Sequence, residues 1–213
     1  MNIAIIGAGN VGGTLGKAWA GAGHKIKFGV RKPTDEKIAT VVKDCGPNAS
    51  AGRVNEAAAF AEIIVLTTPW EGTKSAVESA GPLAGKILVD CTNPLALGAN
   101  LMAGLSLGHT TSAAEEVAKW AKGARVVKAF NTTGAGNMAN PHFGSDKAVM
   151  FVADDDPTAK RTVIDLANQL GFETIDAGPL SQARLLEPVA MLWISLAYAQ
   201  GLGPNFAFKL LRR

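Results

Sequence analysis

The chain has 213 residues, 47% of them hydrophobic and 18% charged, with a formal net charge of +3. That length holds one large domain, or one with a small appendage, and the apolar share supports a substantial core. The mild charge, with no basic stripe interleaved with aromatics, argues against a nucleic-acid binder, and no apolar run reaches the roughly 18 residues that a membrane span needs.

The first predicted element is a strand over 2–6, whose apolar residues run straight into Gly7-x-Gly9-x-x-Gly12. A helix is predicted near 10–22 and a second strand over 25–29. This strand, tight turn and helix place a helix N-terminus where it can face a pyrophosphate. In that geometry Gly7 makes the turn, Gly9 lets the backbone approach the phosphates, and Gly12 lets helix and strand pack closely. Asn10 and Val11, between the last two glycines, open the helix and complete the phosphate loop.

After the second strand, a dinucleotide-binding chain that prefers NAD(H) usually carries an acid for the ribose 2′-hydroxyl. Here the residues are Val30, Arg31, Lys32, Pro33 and Thr34; the first acids, Asp35 and Glu36, lie further along. Arg31 can grip a 2′-phosphate through its planar fork, Lys32 adds a point charge, and Thr34 or Lys37 can supply a further contact. The reading is NADP(H) rather than NAD(H). The plainer alternative is that this charge pair only solvates a loop.

Further strands are predicted around 51–53 and over 63–67, 87–91, 125–129, 147–153 and 172–176. Helices are predicted near 34–44, 55–60, 72–80, 112–122, 157–170 and 181–199. Asp156-Pro157 reads as an N-cap and first helical residue, and Gly171 as a helix stop. This alternation predicts an α/β fold, a Rossmann-type doubly wound, mostly parallel sheet over 1–178 with a C-terminal helical segment over 179–213. The helix at 181–199 is apolar on most faces and must be buried in its own domain or against a second subunit; the expectation is a homodimer contact.

In such sheets ligands lie outside the carboxyl ends of the strands. After the fourth strand come Thr68, Pro69 and Trp70; after the fifth, Asn93 and Pro94; after the sixth, Ala129 and Asn131. These small and polar residues suit contacts to the nicotinamide half of the cofactor, with Asn93 toward the ribose and backbone groups near Ala129 toward the carboxamide. Asn93-Pro94 is also a turn starter, Asn131 can serve as a helix cap, and Trp70 as core. Cys45 and Cys91 lack metal-ligand spacing, so no metal site is expected, and two isolated cysteines suit a reduced, cytoplasmic protein. His24, His109 and His142 are scattered, and none is assigned as a base.

Read together, the glycine loop, Val30-Arg31-Lys32, Thr68-Pro69-Trp70-Glu71, Asp90-Cys91-Thr92-Asn93-Pro94, Lys128-Ala129-Phe130-Asn131-Thr132 and Asp176-Ala177-Gly178-Pro179-Leu180, with Ala183-Arg184 and Glu187-Pro188, resemble the coenzyme F420-dependent NADP reductases. The same module resembles the cytosolic reductase portion of the six-transmembrane ferric reductases. The resemblance spans the whole chain. It implies hydride transfer between NADP(H) and a flavin-like acceptor, F420 or FMN or FAD, walled by the loops after strands four to six and by the C-terminal segment. Such transfer depends on stacking and orientation, so no catalytic acid or base is assigned. Archaeal members carry a longer Gly-Gly-Thr-Gly-Asn-Leu-Gly loop and a serine where Val30 stands, which leaves the acceptor open. Two other readings stand beside this one: a β-hydroxyacid-type dehydrogenase or carbonyl reductase, for which Lys128 with Asn131 is the nearest proton relay, and a non-catalytic NADP(H) sensor.

Overall fold

Strands and helices alternate from the first residues onward in the computed structural model, which describes residues 1–96 and 104–213. The first half contains β1 (Asn2–Ile6), α1 (Asn10–Gly21), β2 (Lys25–Gly29), α2 (Glu36–Cys45), β3 (Ala49–Gly52), α3 (Val54–Phe60), β4 (Ile63–Leu66), α4 (Trp70–Ala80) and β5 (Ile87–Asp90). Next come two short strands, β6 (Leu95–Ala96) and β7 (Gly104–Leu105), then α5 (Ala113–Trp120), β8 (Arg125–Lys128) and α6 (Ala135–Ala139). A small antiparallel pair, β9 (His142–Phe143) and β10 (Asp146–Lys147), precedes β11 (Val149–Ala153), α7 (Pro157–Gln169) and β12 (Glu173–Gly178). The chain then makes a short 3₁₀ turn (Leu180–Gln182), α8 (Ala183–Ile194) and one π-helical turn (Ser195–Ala199).

The main sheet has eight strands in the order β12-β11-β8-β5-β4-β1-β2-β3. Its last six, read from β3, follow the doubly wound order whose direction of winding reverses between β1 and β4. Pairing is parallel throughout except where β11 meets β8, so the mostly parallel expectation holds. Alternation on β1 explains the two-sided core. Ile3 and Ile5 pack with Leu15, Trp19 and Phe28 on one face, while Ala4 and Ile6 pack with Ile64, Leu66 and Leu88 on the other. A strand buried on both faces reads as a continuous apolar run, which is how β1 and β4 appear in the sequence.

The predicted cap of α7 forms as read, with Asp156 accepting from the amides of Thr158 and Ala159 and Pro157 in the first turn. Gly171 follows at φ +98°. Three features were not predicted: the β6/β7 pair, α6, and the β9/β10 pair, which separates 147 from the strand expected to begin there. Each is too short to show a periodic pattern. The helix expected over 181–199 divides into the 3₁₀ turn, α8 and the π turn. Among the described residues no helix is long and apolar enough to cross a membrane.

Candidate functional site

The glycine turn is built tightly. Gly7 sits at φ +106°, open to glycine and strained for other residues. A Cβ on Gly12 would lie 2.2 Å from the Gly7 carbonyl oxygen and 2.6 Å from the Thr67 hydroxyl, so α1 can start this close only with glycine there. Gly9 is the opposite case, with nothing within 4 Å of a Cβ; its exposed backbone is open to a ligand. Gly9 also occupies the N-cap of α1 and supplies no side-chain cap, which leaves first-turn amides available to an anion. A second close approach falls one turn later, where a Gly16 Cβ would meet the Phe28 ring at 2.4 Å.

Beside this turn, at the reversal between β1 and β4, lies a cavity of about 240 Å³. Val11, Thr67 to Glu71, and Cys91 to Asn93 line it together with Leu95. The Thr67 hydroxyl lies 3.0 Å from Gly7 O and 3.1 Å from Ile6 O, tying the end of β4 to the glycine turn. Thr68 and Thr73 share a 2.9 Å hydroxyl contact. Trp70 borders the cavity and stacks on Trp120 at 5.4 Å between ring centroids, so its lining and packing roles coexist. Burial pushes the Cys91 thiol far up, which makes it an inert wall.

Asn131 joins this cavity from behind. Its amide nitrogen donates to Asn93 Oδ1 and to Leu186 O, both at 3.1 Å, and Asn93 returns a bond to Asn131 O at 3.0 Å. The Asn131 Oδ1 atom is buried without a hydrogen-bond partner among the described residues. Phe130, just before it, is held at φ +59°, a costly state for a bulky residue, and its N–H meets the Met150 sulfur at 3.1 Å. Ala129, expected to offer backbone groups, is fully buried with its N–H spent on Asp90 O, and it does not line the cavity. Pro94 O accepts from Ser106, closing the β6/β7 pair.

A second, shallower cleft of about 450 Å³ opens at the ends of β2 and β3. Arg31, Lys32, Pro33, Thr34 and Asp35, from the loop after β2, line it together with Arg53 and Glu56, from the end of β3 and α3. Asp35 is occupied as the N-cap of α2, accepting from Lys37 N at 2.9 Å. Thus the predicted residues gather in three adjoining places: Gly7 to Gly12 at the turn, Arg31, Lys32 and Thr34 in this cleft, and Thr68, Pro69, Trp70 and Asn93 around the central cavity, with Asn131 bonded to it.

Sequence reasoning missed a buried ionic network just beneath the central cavity. Lys128 Nζ reaches Asp90 Oδ2 at 2.9 Å and Glu187 Oε1 at 2.8 Å, with Lys128, Asp90 and Glu187 all 1% exposed or less. Lys128 also donates to Thr92 O at 2.6 Å. Asp90 Oδ1 accepts from the Thr92 amide and hydroxyl. Glu187 accepts from the amides of Ala113 and Ala114 at the start of α5. Burial alone would lower the Lys128 pKa, but the carboxylates of Asp90 and Glu187 outweigh it and raise it. An ammonium so held is no proton relay, which overturns the pairing of Lys128 with Asn131 in the dehydrogenase reading. The polar ends of two core strands were the only signal in the sequence.

Residues 2–94 match the family model described as NADP oxidoreductase coenzyme F420-dependent. The chain is 32% identical over 207 residues to F420-dependent NADP reductase from Methanocaldococcus jannaschii, covering 92% of each. It is 31% identical over 193 residues to Metalloreductase STEAP3 from Rattus norvegicus, but spans only 36% of that protein. A solved structure from Arthrobacter sp. FB24, described as a candidate F420-dependent NADP reductase, superposes at TM-score 0.92 with 33% identity over 100% of both chains.

Proposed function

This chain belongs to the F420-dependent NADP reductase family, and we propose that it transfers hydride between NADP(H) and a flavin-like acceptor, coenzyme F420 or FMN or FAD. The carrying observation is the presence of three features at the strand ends: a cationic cleft, an open glycine turn, and a cavity at the sheet's reversal point.

The residues fit NADP(H) at each of these places. Arg31 and Lys32 would hold the 2′-phosphate, with Thr34 beside them. The backbone from Gly7 to Gly12, with Asn10 and Val11, would hold the pyrophosphate, because Gly9 presents bare backbone and α1 has no side-chain cap. Thr68, Pro69, Trp70, Asn93 and Pro94 would border the nicotinamide riboside. The orphaned Asn131 Oδ1 is an acceptor suited to the carboxamide N–H₂. Bound there, the nicotinamide supplies the hydride chemistry. The chain supplies orientation and a dry wall, and no proton transfer from a side chain is required.

Residues 1–178 act in this reading as the NADP(H)-binding domain. Residues 179–213 wall the acceptor site and form a homodimer contact. The wall is supported by the Asn131 bond to Leu186 O and by Trp193, whose ring lies against Gly134 in the loop after β8. The dimer contact is supported by Leu185, Leu192 and Tyr198, which are 61%, 52% and 64% exposed on α8 and its π turn. A cytoplasmic enzyme suits two buried, free cysteines.

The test is to mix purified protein and NADPH with F420, FMN or FAD and follow nicotinamide absorbance. Oxidation with at least one acceptor is expected. Silence with all three but activity with a hydroxyacid panel would instead favour the dehydrogenase reading, and tight NADPH binding with no oxidation under any acceptor would favour a sensor.

A further inference from the structure

We propose that Arg53 is a second guanidinium for the ribose 2′-phosphate, reaching it from the end of β3 beside the strand end that carries Arg31 and setting the preference for NADP(H) over NAD(H). This rests on the NADP(H) reading above and adds a residue outside the loop that follows β2.

The parallel register of β2 and β3 pairs Gly29 with Gly52. The ladder continues one residue further through Val30 N to Gly52 O at 3.0 Å. Arg53 therefore leaves β3 at the level where Val30 and Arg31 leave β2, and both arginines line the same cleft. Two glycines hold the walls together. A Cβ on Gly29 would meet Ala57 Cβ at 3.0 Å and Val54 Cα at 3.2 Å, and one on Gly52 would meet Glu56 Oε2 at 2.7 Å. The start of α3 is thus packed onto the end of β2.

Arg53 sits at the N-cap of α3, a position that favours Ser, Thr, Asn or Asp, and it makes no side-chain cap. The local rule is broken without a local gain, a pattern expected at functional positions. Neither nearby acid forms an ion pair with it among the described residues. Glu56 accepts from the Arg53 backbone N–H at 2.8 Å, and Asp35 is spent on α2. Among the described residues, Arg31, Lys32 and Arg53 form no ion pair. Three exposed cations around one cleft, with both carboxylates turned to backbone amides, suit a phosphate dianion gripped by two planar forks.

The experiment measures dissociation constants for NADPH and NADH with the intact chain and with Arg53→Ala, Arg53→Lys and Arg31→Ala. Arg53→Ala is expected to weaken NADPH about tenfold or more, the scale of a charge-assisted contact, and to change NADH less than about twofold. Arg53→Lys should fall between, since it keeps the charge and loses the fork. The salt dependence of NADPH binding should also flatten in Arg53→Ala. If Arg31→Ala removes the NADPH preference while Arg53→Ala leaves it intact, Arg53 is a bystander and the proposal fails, with the NADP(H) reading unharmed. If the unaltered protein binds NADPH and NADH equally, both fail. Unchanged melting temperatures across the set would tie any loss to binding rather than folding.

Discussion

Two charged regions of this molecule, separated by a few strands, behave in opposite ways. At the ends of β2 and β3, three cations stand exposed around a cleft and form no ion pair among the described residues. At the ends of β5 and β8, one cation is fully buried and bound by two carboxylates and a carbonyl. In water an unpaired guanidinium is well solvated and waits for a ligand at little cost, whereas in the interior an unpaired charge costs several kcal/mol and must be matched. Exposure therefore separates charges free to meet a ligand from charges that hold the scaffold. The buried network does the second job directly: it ties β5, β8, α8 and the start of α5 around one ammonium, directly under the cavity where hydride transfer would occur.

The largest effect should come from breaking the buried side of this contrast. Lys128→Met leaves Asp90 and Glu187 facing each other without a cation and should cost about 3–5 kcal/mol in urea unfolding. Replacing all three together by apolar or amide residues should recover much of that. A loss below about 1 kcal/mol for Lys128→Met would show that the network is not sealed from water.

Asp154 sharpens the contrast from another side, because it is buried and forms no ion pair among the described residues. It is 4% exposed, and its Oδ2 has no partner among the described residues. Burial, chiefly, pushes its pKa up to about 6, against about 3.9 in an unfolded chain. The folded state therefore holds the extra proton between about pH 4 and pH 6, and stability falls as pH rises through that window. Asp154→Asn should raise stability at pH 7 by up to roughly 3 kcal/mol, at about 1.4 kcal/mol per pH unit, and change little at pH 4. Equal effects at both pH values would remove the titration from the explanation.

On the exposed side, Arg31→Ala should weaken NADPH by about 1.5–3 kcal/mol and NADH far less, with folding stability moving by no more than about 0.5 kcal/mol. Equal weakening of the two cofactors would break the assignment of that cleft to the 2′-phosphate.

Much of the fold was legible because it follows from local rules. Apolar runs such as Ile63–Leu66 mark strands buried on both faces. Asp156-Pro157 and Gly171 bound α7 by cap and turn chemistry. The phosphate loop was legible for the same reason, since Gly7 and Gly12 are demanded by a turn and a close approach a few residues away. The short pairs β6/β7 and β9/β10 were not, because two residues carry no period. Lys128 illustrates a subtler failure. A lysine at the end of an apolar strand looks available for chemistry, and only the arrival of Glu187 from α8 reveals that it is taken.

The sequence by itself determined where strands and helices alternate, that a phosphate loop opens the chain, and that cations rather than acids follow β2. These depend on neighbours within a few residues and on the two-residue period of a strand. Tertiary structure alone decided that Arg53 lines the same cleft as Arg31, that Asn131 bonds Asn93, and that Asp90, Lys128 and Glu187 share one buried site. Those pairings join distant segments through sheet order and register, and the packing of the whole core, rather than any local preference, selects them.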